Sequence, residues 1–389
     1  MAKKRGNGEG SITYHKASKR YIGQYTKPNG KRGAVYGKTR AEVKEKLIKV
    51  LAEIQTHTYT EKNDITLLEL VKSIVEDKYN LNKIGESTYR TDLDTIKRLE
   101  SDEIGGIKIQ KMTTEHLKEY HNRMVNKYEY SNTIIHKNYG LINQALRKSV
   151  AKGYIRYNLL ENKEELSKPK SKKMDKVVCS FTVKEQEKFL EALKSYENTT
   201  YKNIMLLALF TGMRSGEILA LKLSDIDFEN NVIHIQRSMT RNKEGKTIIG
   251  KKTKTYNSRR DITMTDTIKK ILKDSVRNFK FNEEKLLFSR KNVDDDKYWI
   301  SGSMINSAFK RLCQKHNVGK GFDVNFHMLR HTYATRCIES GMQAKVLQKK
   351  LGHKDISVTL NTYTDIFAKF EDKFDKQFMD YLEAHNIAI

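Results

Sequence analysis

A multidomain, mainly α chain is predicted, with an α+β C-terminal domain built on a small antiparallel sheet, a helical middle domain and a small β-sheet-plus-helix N-terminal domain. Three observations predict it. The 389 residues exceed what one ordinary domain holds. Two prolines, Pro28 and Pro169, and long stretches with apolar residues three and four apart favour helices. A short block of alternating β-like runs precedes those helices, and a polar lysine-rich stretch divides them.

Charge narrows the class of partner. Lys and Arg total 74 against 48 Asp and Glu, a net charge of +26, and such an excess suits a polyanion. The longest apolar run, Ile204 to Phe210, falls far short of the ~18–20 residues that cross a bilayer. The basic start, Met-Ala-Lys-Lys-Arg, has no apolar stretch behind it and is not expected to be a signal peptide. No membrane partner is therefore expected, and a nucleic acid is. Cys179, Cys313 and Cys337 are odd in number and scattered, so neither a disulfide framework nor a zinc site is expected, and a reducing cytoplasm is the natural compartment.

Residues 1–60 form the first predicted domain. Its first forty residues carry eleven Lys and Arg against one acid, Glu9. Ser11–Tyr14, Arg20–Tyr25 and Gly33–Tyr36 read as strands, with a Pro28-Asn-Gly30 turn between the last two. A helix from about Thr39, a plausible N-cap, puts Val43, Leu47, Val50, Leu51 and Ile54 on one face. A basic sheet of this kind can enter the major groove, so Lys3, Lys4, Arg5, Arg20, Lys31 and Arg32 are candidate DNA contacts.

Residues 64–160 read as several helices. Asp64 or Thr66 can cap Leu67–Lys78, Ser87 can cap a helix through Leu93, Ile96 and Leu99, and Thr113 can cap Glu115–Lys127. A further helix runs from about Ser131 to Ala151. Arg90, Lys97, Lys137, Arg147 and Lys148 lie between the apolar positions of these helices as candidate phosphate contacts. Residues 162–178 are the expected linker, whose like charges, Lys168 and Lys170 among them, could follow a phosphate backbone.

The third domain, 181–389, holds the chemistry. Thr211-Gly-Met-Arg-Ser-Gly-Glu217 leaves Arg214 at a helix N-terminus, where free N–H groups favour an anion; pairing with Glu217 or Asp225 is the structural alternative. Val232–Gln236 and Arg260–Met264 read as strands, with Thr247–Tyr256 supplying a third and Lys251–Arg260 a basic turn. In His327-Met-Leu-Arg-His331, His327 and Arg330 share a helical face with His331. An arginine between the two histidines would repel a cation, so the face suits an anion. Gly352 ends a helix and presents His353, and Tyr363 follows ten residues later.

Arg214 within Thr-Gly-Met-Arg-x-Gly-Glu, Lys254 in the hairpin, His-x-Leu-Arg-His at 327–331, Leu-Gly-His at 351–353 and Tyr363 stand in the order found in tyrosine recombinases. The chain resembles that family, which includes lambda-type integrases and the Xer recombinases, over roughly residues 181–365. Its front, with Arg5-Gly-Asn-Gly-Glu-Gly-Ser-Ile12, resembles integrases of conjugative transposons and of integrative and conjugative elements.

The resemblance implies a site-specific recombinase that cuts and rejoins DNA through a 3′-phosphotyrosine on Tyr363, without cofactor or metal. Arg214 and Arg330 would clamp the non-bridging phosphate oxygens, which planar, permanently charged guanidinium groups suit. Lys254 would protonate the departing 5′-oxygen, although Lys251 and Lys252 share its loop. His327 would act as base or as donor to the scissile phosphate, and His353 would donate a hydrogen bond to it. His331 follows the pattern but is expected to be structural.

Residues 367–389 are expected to form an exchange helix, with Phe367, Phe370, Phe374 and Phe378 on one stripe. Passing it to a neighbour would build a homo-tetramer on DNA; packing on its own domain is the alternative. Other implied partners are core and arm DNA sites, an excisionase and a DNA-bending host protein, in the bacterial nucleoid. A clamp is expected, with 64–160 and 181–389 gripping opposite faces of one duplex. Two other readings remain: an Xer-like resolvase, against which the basic N-terminal block argues, and a non-catalytic DNA-binding regulator, which would have no use for the complete residue set.

Overall fold

A computed structural model describes residues 10–28, 30–56, 59–60, 63–162, 164–174, 179–250, 259–290, 298–321, 323–369, 371–385 and 387, with the backbone alone for 365, 367–369 and 371–374. Lys3, Lys4, Arg5 and Lys254 lie outside the described residues. The chain divides into two compact units, one of residues 1–84 with 91–175, the other of residues 85–90 with 176–389.

In the first unit, β1 (Ser11–His15), β2 (Arg20–Thr26) and β3 (Arg32–Gly37) make an antiparallel sheet in that order. Helix α1 (Arg40–Gln55) opens at Thr39, whose Oγ1 accepts the Glu42 N–H at 3.2 Å. It buries Val43 and Leu47, while Val50, Leu51 and Ile54 stay half-exposed. Arg20, Lys31 and Arg32 are exposed.

Four helices follow in the chain, α2 (Leu67–Asn80), α3 (Glu86–Glu100), α4 (Thr114–Asn122) and α5 (Asn132–Ala151), the first turn of α3 counting with the second unit. Thr66, rather than Asp64, caps α2: its Oγ1 accepts the Glu69 N–H while Glu69 accepts the Thr66 N–H. Such a reciprocal cap is worth ~1 kcal/mol. Asp64 is instead paired with Lys108 at 2.7 Å. Helix α3 already includes Ser87, so that residue is not its cap. Helix α4 ends earlier than its apolar pattern suggests, passing into a wider π turn over Arg123–Lys127. There Arg123 donates twice to the buried carboxylate of Asp102, at 2.9 and 2.7 Å, and the Tyr128 hydroxyl adds a third bond at 2.8 Å.

Part of the expected linker packs on this unit. Leu166 is buried, Ser171 donates from its hydroxyl to the Tyr130 carbonyl, and Lys168 stands 5.7 Å over the Tyr139 ring. Lys97, Lys137, Arg147 and Lys170 are exposed, Arg90 is half-buried, and Lys148 is engaged by Asp77 at 2.7 Å.

In the second unit, α6 (Val183–Lys194) starts at Thr182, again with a reciprocal Glu185 cap. Helix α7 (Thr199–Thr211) is apolar nearly all round and is buried accordingly. Helix α8 (Ser215–Leu219) follows at once. Strands β4 (Ile226–Asp227), β5 (Val232–Ile235), β6 (Ser238–Arg241), β7 (Thr247–Gly250) and β8 (Arg260–Thr263) come next. The sheet differs from expectation: β5 pairs directly with β4 and β8, and β7 pairs with β6 in a separate two-stranded ribbon. Strand β6 carries no strand signal of its own, because Ser238-Met-Thr-Arg241 shows no apolar alternation.

Helices α9 (Asp266–Arg277), α10 (Gly302–Lys315), α11 (His327–Glu339), α12 (Ala344–Leu351), α13 (Ile356–Lys369) and α14 (Glu371–Ala384) complete the unit. Phe181, Phe189, Phe309 and Phe326 interlock at its centre, with ring centroids 5.4–6.2 Å apart. This core fixes the helices that carry the site, α7 and α11 foremost. Among the described residues no helix is long and apolar enough to cross a membrane.

Candidate active site

The site is assembled where α7, α8, α11, α12 and α13 meet β8. Gly212 ends α7 in the left-handed region, at φ 64°, and a Cβ there would stand 2.4 Å from Tyr333 Cδ1. Glycine is thus required twice over, by conformation and by space. The turn it makes delivers Arg214 to the start of α8 and leaves the Gly212 carbonyl free to accept from Arg330.

Glu217 is the anchor. It is 3% exposed, accepts from Arg214 Nη1 at 2.9 Å, and takes Arg260 in a two-pronged pair at 3.1 and 2.9 Å. Burial alone would raise its pKa, but the Arg260 hydrogen bonds and charge, with Arg214, hold it down at about 2. The predicted alternative contact of Arg214 is therefore present toward Glu217, while Asp225 is taken by Arg237. Arg214 also donates from Nη2 to the Gly352 carbonyl at 3.2 Å. A single carboxylate thus serves two guanidinium groups.

Arg330, on α11, is 2% exposed and is held by neutral groups. Its Nη1 donates to the Gly212 carbonyl at 2.6 Å, and its Nη2 to the Leu351 carbonyl at 2.8 Å and to His353 Nε2 at 2.9 Å. Burial and the neighbouring Arg214 charge lower its pKa to about 9. A buried cation without a carboxylate of its own is costly unless an anion arrives. Three arginines against Glu217 leave the site with surplus positive charge, which is an anion site by construction.

His353 follows Gly352, which closes α12 at φ 67°. Its Nδ1 meets Thr359 Oγ1 at 2.7 Å, so the ring donates to Thr359 and accepts from Arg330. Burial, then the Arg330 charge, lowers its pKa to about 4 and keeps it neutral. In this arrangement its Nε2 lone pair is occupied by Arg330. Donating to a phosphate would require Arg330 to shift, or the ring to gain a proton.

Tyr363 sits at a kink in α13, with φ −122° and ψ 17°. Its ring is 1% exposed and packs with Ala334, Cys337, Ile338, Leu347 and Leu351. Burial pushes the hydroxyl up to about 12, partly offset by the Arg330 charge. That hydroxyl lies 3.0 Å from His331 Nδ1. His327 is open to solvent at the start of α11, its ring edge-on to His331 with centroids 4.7 Å apart. Surrounding protein, then Arg330 and Arg214, lower the His327 pKa to about 4 despite that open face.

Arg214, Arg330, His353, His327 and Tyr363 therefore gather in one unit. Sequence reasoning missed Arg260, Thr359 and the contact of His331. Arg260 was detectable in principle: it alternates with Ile262 as an inward position of β8, and a charge on an inward face demands a partner.

The model of the phage integrase family matches residues 180–369. A tyrosine recombinase XerC-like protein of Caldanaerobacter subterraneus is 28% identical over 88% of this chain and 90% of its own length. The transposase from transposon Tn916 of Enterococcus faecalis is 33% identical over 49% of this chain, which spans about half of that protein. Among solved structures, the Tn1549 transposon integrase in complex with a circular intermediate DNA superposes with a TM-score of 0.66 over 77% of this chain and 94% of that one, at 24% identity. A lambda integrase tetramer bound to a Holliday junction superposes with a TM-score of 0.57 over 92% of this chain and 96% of that one, at 18% identity. These two likenesses speak to the fold. The matched residues and the gathered side chains identify 180–369 as a phage integrase domain, the domain of the tyrosine recombinases, enzymes that cleave and rejoin DNA.

Proposed function

We propose that the chain integrates and excises a mobile element by site-specific strand exchange at core sites, with residues 1–60 binding arm sites. The observation that carries this reading is a buried site with surplus positive charge next to a tyrosine hydroxyl. An in-line attack on a phosphodiester needs a clamp on the non-bridging oxygens and a nucleophile beside it. Arg214 and Arg330 are the clamp, and Tyr363 is the nucleophile. His327 serves as base or as donor to the phosphate, His353 donates to it once Arg330 leaves its Nε2, and Lys254 protonates the leaving 5′-oxygen. The covalent link conserves the bond energy, so rejoining needs no nucleotide.

The transposase relative and the Tn1549 integrase complex support the mobile-element reading. A tetramer on DNA, coupled by exchange of 367–389, is part of the proposal. It is supported by exposed Phe378, Met379 and Tyr381 on α14, which present apolar surface to a partner. An excisionase, a DNA-bending host protein and a place on the nucleoid complete it. A resolvase of the same chemistry is the second reading, favoured by the XerC-like relative that spans most of the chain.

The test is incubation of the full chain with nicked DNA carrying the element's ends, followed by a denaturing gel. Wild type should give a protein–DNA adduct that survives boiling, and Tyr363→Phe should give none while still binding the DNA. An adduct that persists in Tyr363→Phe places the nucleophile elsewhere.

A further inference from the structure

Resting on the strand-exchange reading above, we infer that His331 is a catalytic residue: its Nδ1 takes the hydroxyl proton of Tyr363 as the tyrosine oxygen binds phosphorus. The sequence alone suggests a structural role for this histidine and gives the base role, as one of two options, to His327. The geometry points the other way. Among the described residues, the hydrogen-bond partner of the Tyr363 hydroxyl is His331 Nδ1, at 3.0 Å. The two rings are set edge to face, with centroids 5.9 Å apart. His327 packs edge-on against the His331 ring, with centroids 4.7 Å apart.

The direction of the hydrogen bond follows from the charge states. Burial foremost, and then the neighbouring His327, Arg330 and His353, lower the His331 pKa to about 3, so the ring is neutral. The hydroxyl, pushed up to about 12, keeps its hydrogen. A neutral imidazole carrying its proton on Nε2 accepts that hydrogen at Nδ1. Every group named around His331 is cationic or neutral, so the free protein strongly disfavours an imidazolium there. A phosphodiester seated on Arg214 and Arg330 brings a negative charge and favours the protonated ring. Activation of the nucleophile is thereby tied to the arrival of DNA, and the unliganded chain keeps Tyr363 inert.

The step balances. The Tyr363 O–H bond breaks, the phenolic oxygen forms the bond to phosphorus, and the P–O5′ bond breaks. The hydroxyl proton goes to His331 Nδ1, and the 5′-oxygen takes a proton from the acid on the leaving-group side. In rejoining, the 5′-hydroxyl returns its proton to the group on the leaving-group side and attacks phosphorus, and His331 returns its proton to the departing tyrosine oxygen.

The experiment measures single-turnover adduct formation by the full chain on nicked element-end DNA. His331→Asn retains an acceptor oxygen near the Nδ1 position but takes up no proton at working pH. It should slow adduct formation by ~10²-fold or more, the usual worth of a positioned base, with DNA affinity unchanged. Two further arms separate base from scaffold. A substrate with a 5′-bridging sulfur, whose leaving group needs no acid, should leave the deficit in place. Fluorinated tyrosine placed at position 363, with a more acidic hydroxyl, should shrink it. The inference is overturned if His331→Asn reacts as fast as wild type, if the sulfur substrate abolishes its deficit, or if fluorination leaves that deficit untouched. A wild-type chain that forms no adduct overturns the strand-exchange reading and this inference with it; normal wild-type adduct with an unimpaired variant overturns this inference alone.

Discussion

Glu217 decides more about the site than its exposure would suggest. It is the shared carboxylate of Arg214 and Arg260, and removing it strands Arg260 in the interior. Breaking a buried pair from one side costs ~3–5 kcal/mol, so Glu217→Gln should lower stability by about that amount at neutral pH. The pH dependence has a definite sign. A carboxyl held at about 2 instead of 4.5 supports the fold fully above pH 4.5 and loses that support as pH falls toward 2. The gap between wild type and Glu217→Gln in urea midpoint should therefore close as pH drops through that window. Parallel curves would contradict the assignment. His331 and His353 act in the same direction at higher pH: both stay neutral when folded, so stability declines as pH falls below 6.5 toward about 3 and 4.

The elements set these residues in place through two left-handed glycine turns, Gly212 after α7 and Gly352 after α12. Both carbonyls accept from the arginines, Gly212 from Arg330 and Gly352 from Arg214. Gly212→Ala adds strain at positive φ and drives a methyl into Tyr333, a cost of roughly 1–3 kcal/mol. It should also displace the Arg330 partner, so adduct formation should fall more than stability, as single-turnover rates compared with thermal midpoints would reveal. Equal losses would mean the turn matters only for folding.

How much of this was legible in the chain depended on range. The caps at Thr39 and Thr113, and at Thr66 as one of two options, were readable because each hydrogen bond spans three residues. The motif residues were readable as a set. Arg260 with Glu217, and His353 with Thr359, were not: the first pair spans 43 residues and depends on strand order. The second needed the angle between Gly352 and α13. For His331, spacing showed its face but not the tyrosine that packs on it.

At the scale of the molecule, the net charge of +26 implies binding that is largely electrostatic. If six or more phosphates are neutralised, affinity should fall ~10³-fold or more between 50 and 200 mM salt. Removing residues 1–60 should reduce that slope, abolish arm-site binding and leave cleavage at core sites. A flat salt response, or a deletion that changes no DNA binding, would contradict the two-site picture. Surface charge is a composition-level property and was plain from the sequence. Which of Lys97, Lys137 or Arg147 meets a phosphate depends on the path of the duplex.

The central claim is that Tyr363 forms the covalent bond to DNA. Tryptic mapping of the boiled adduct, after nuclease trimming, tests it most directly by mass spectrometry. The account predicts a nucleotide-modified peptide Asp355–Lys369 with the phosphate on Tyr363 and a free 5′-hydroxyl on the released strand. Modification on another peptide, or a 5′-linked phosphate, would contradict it.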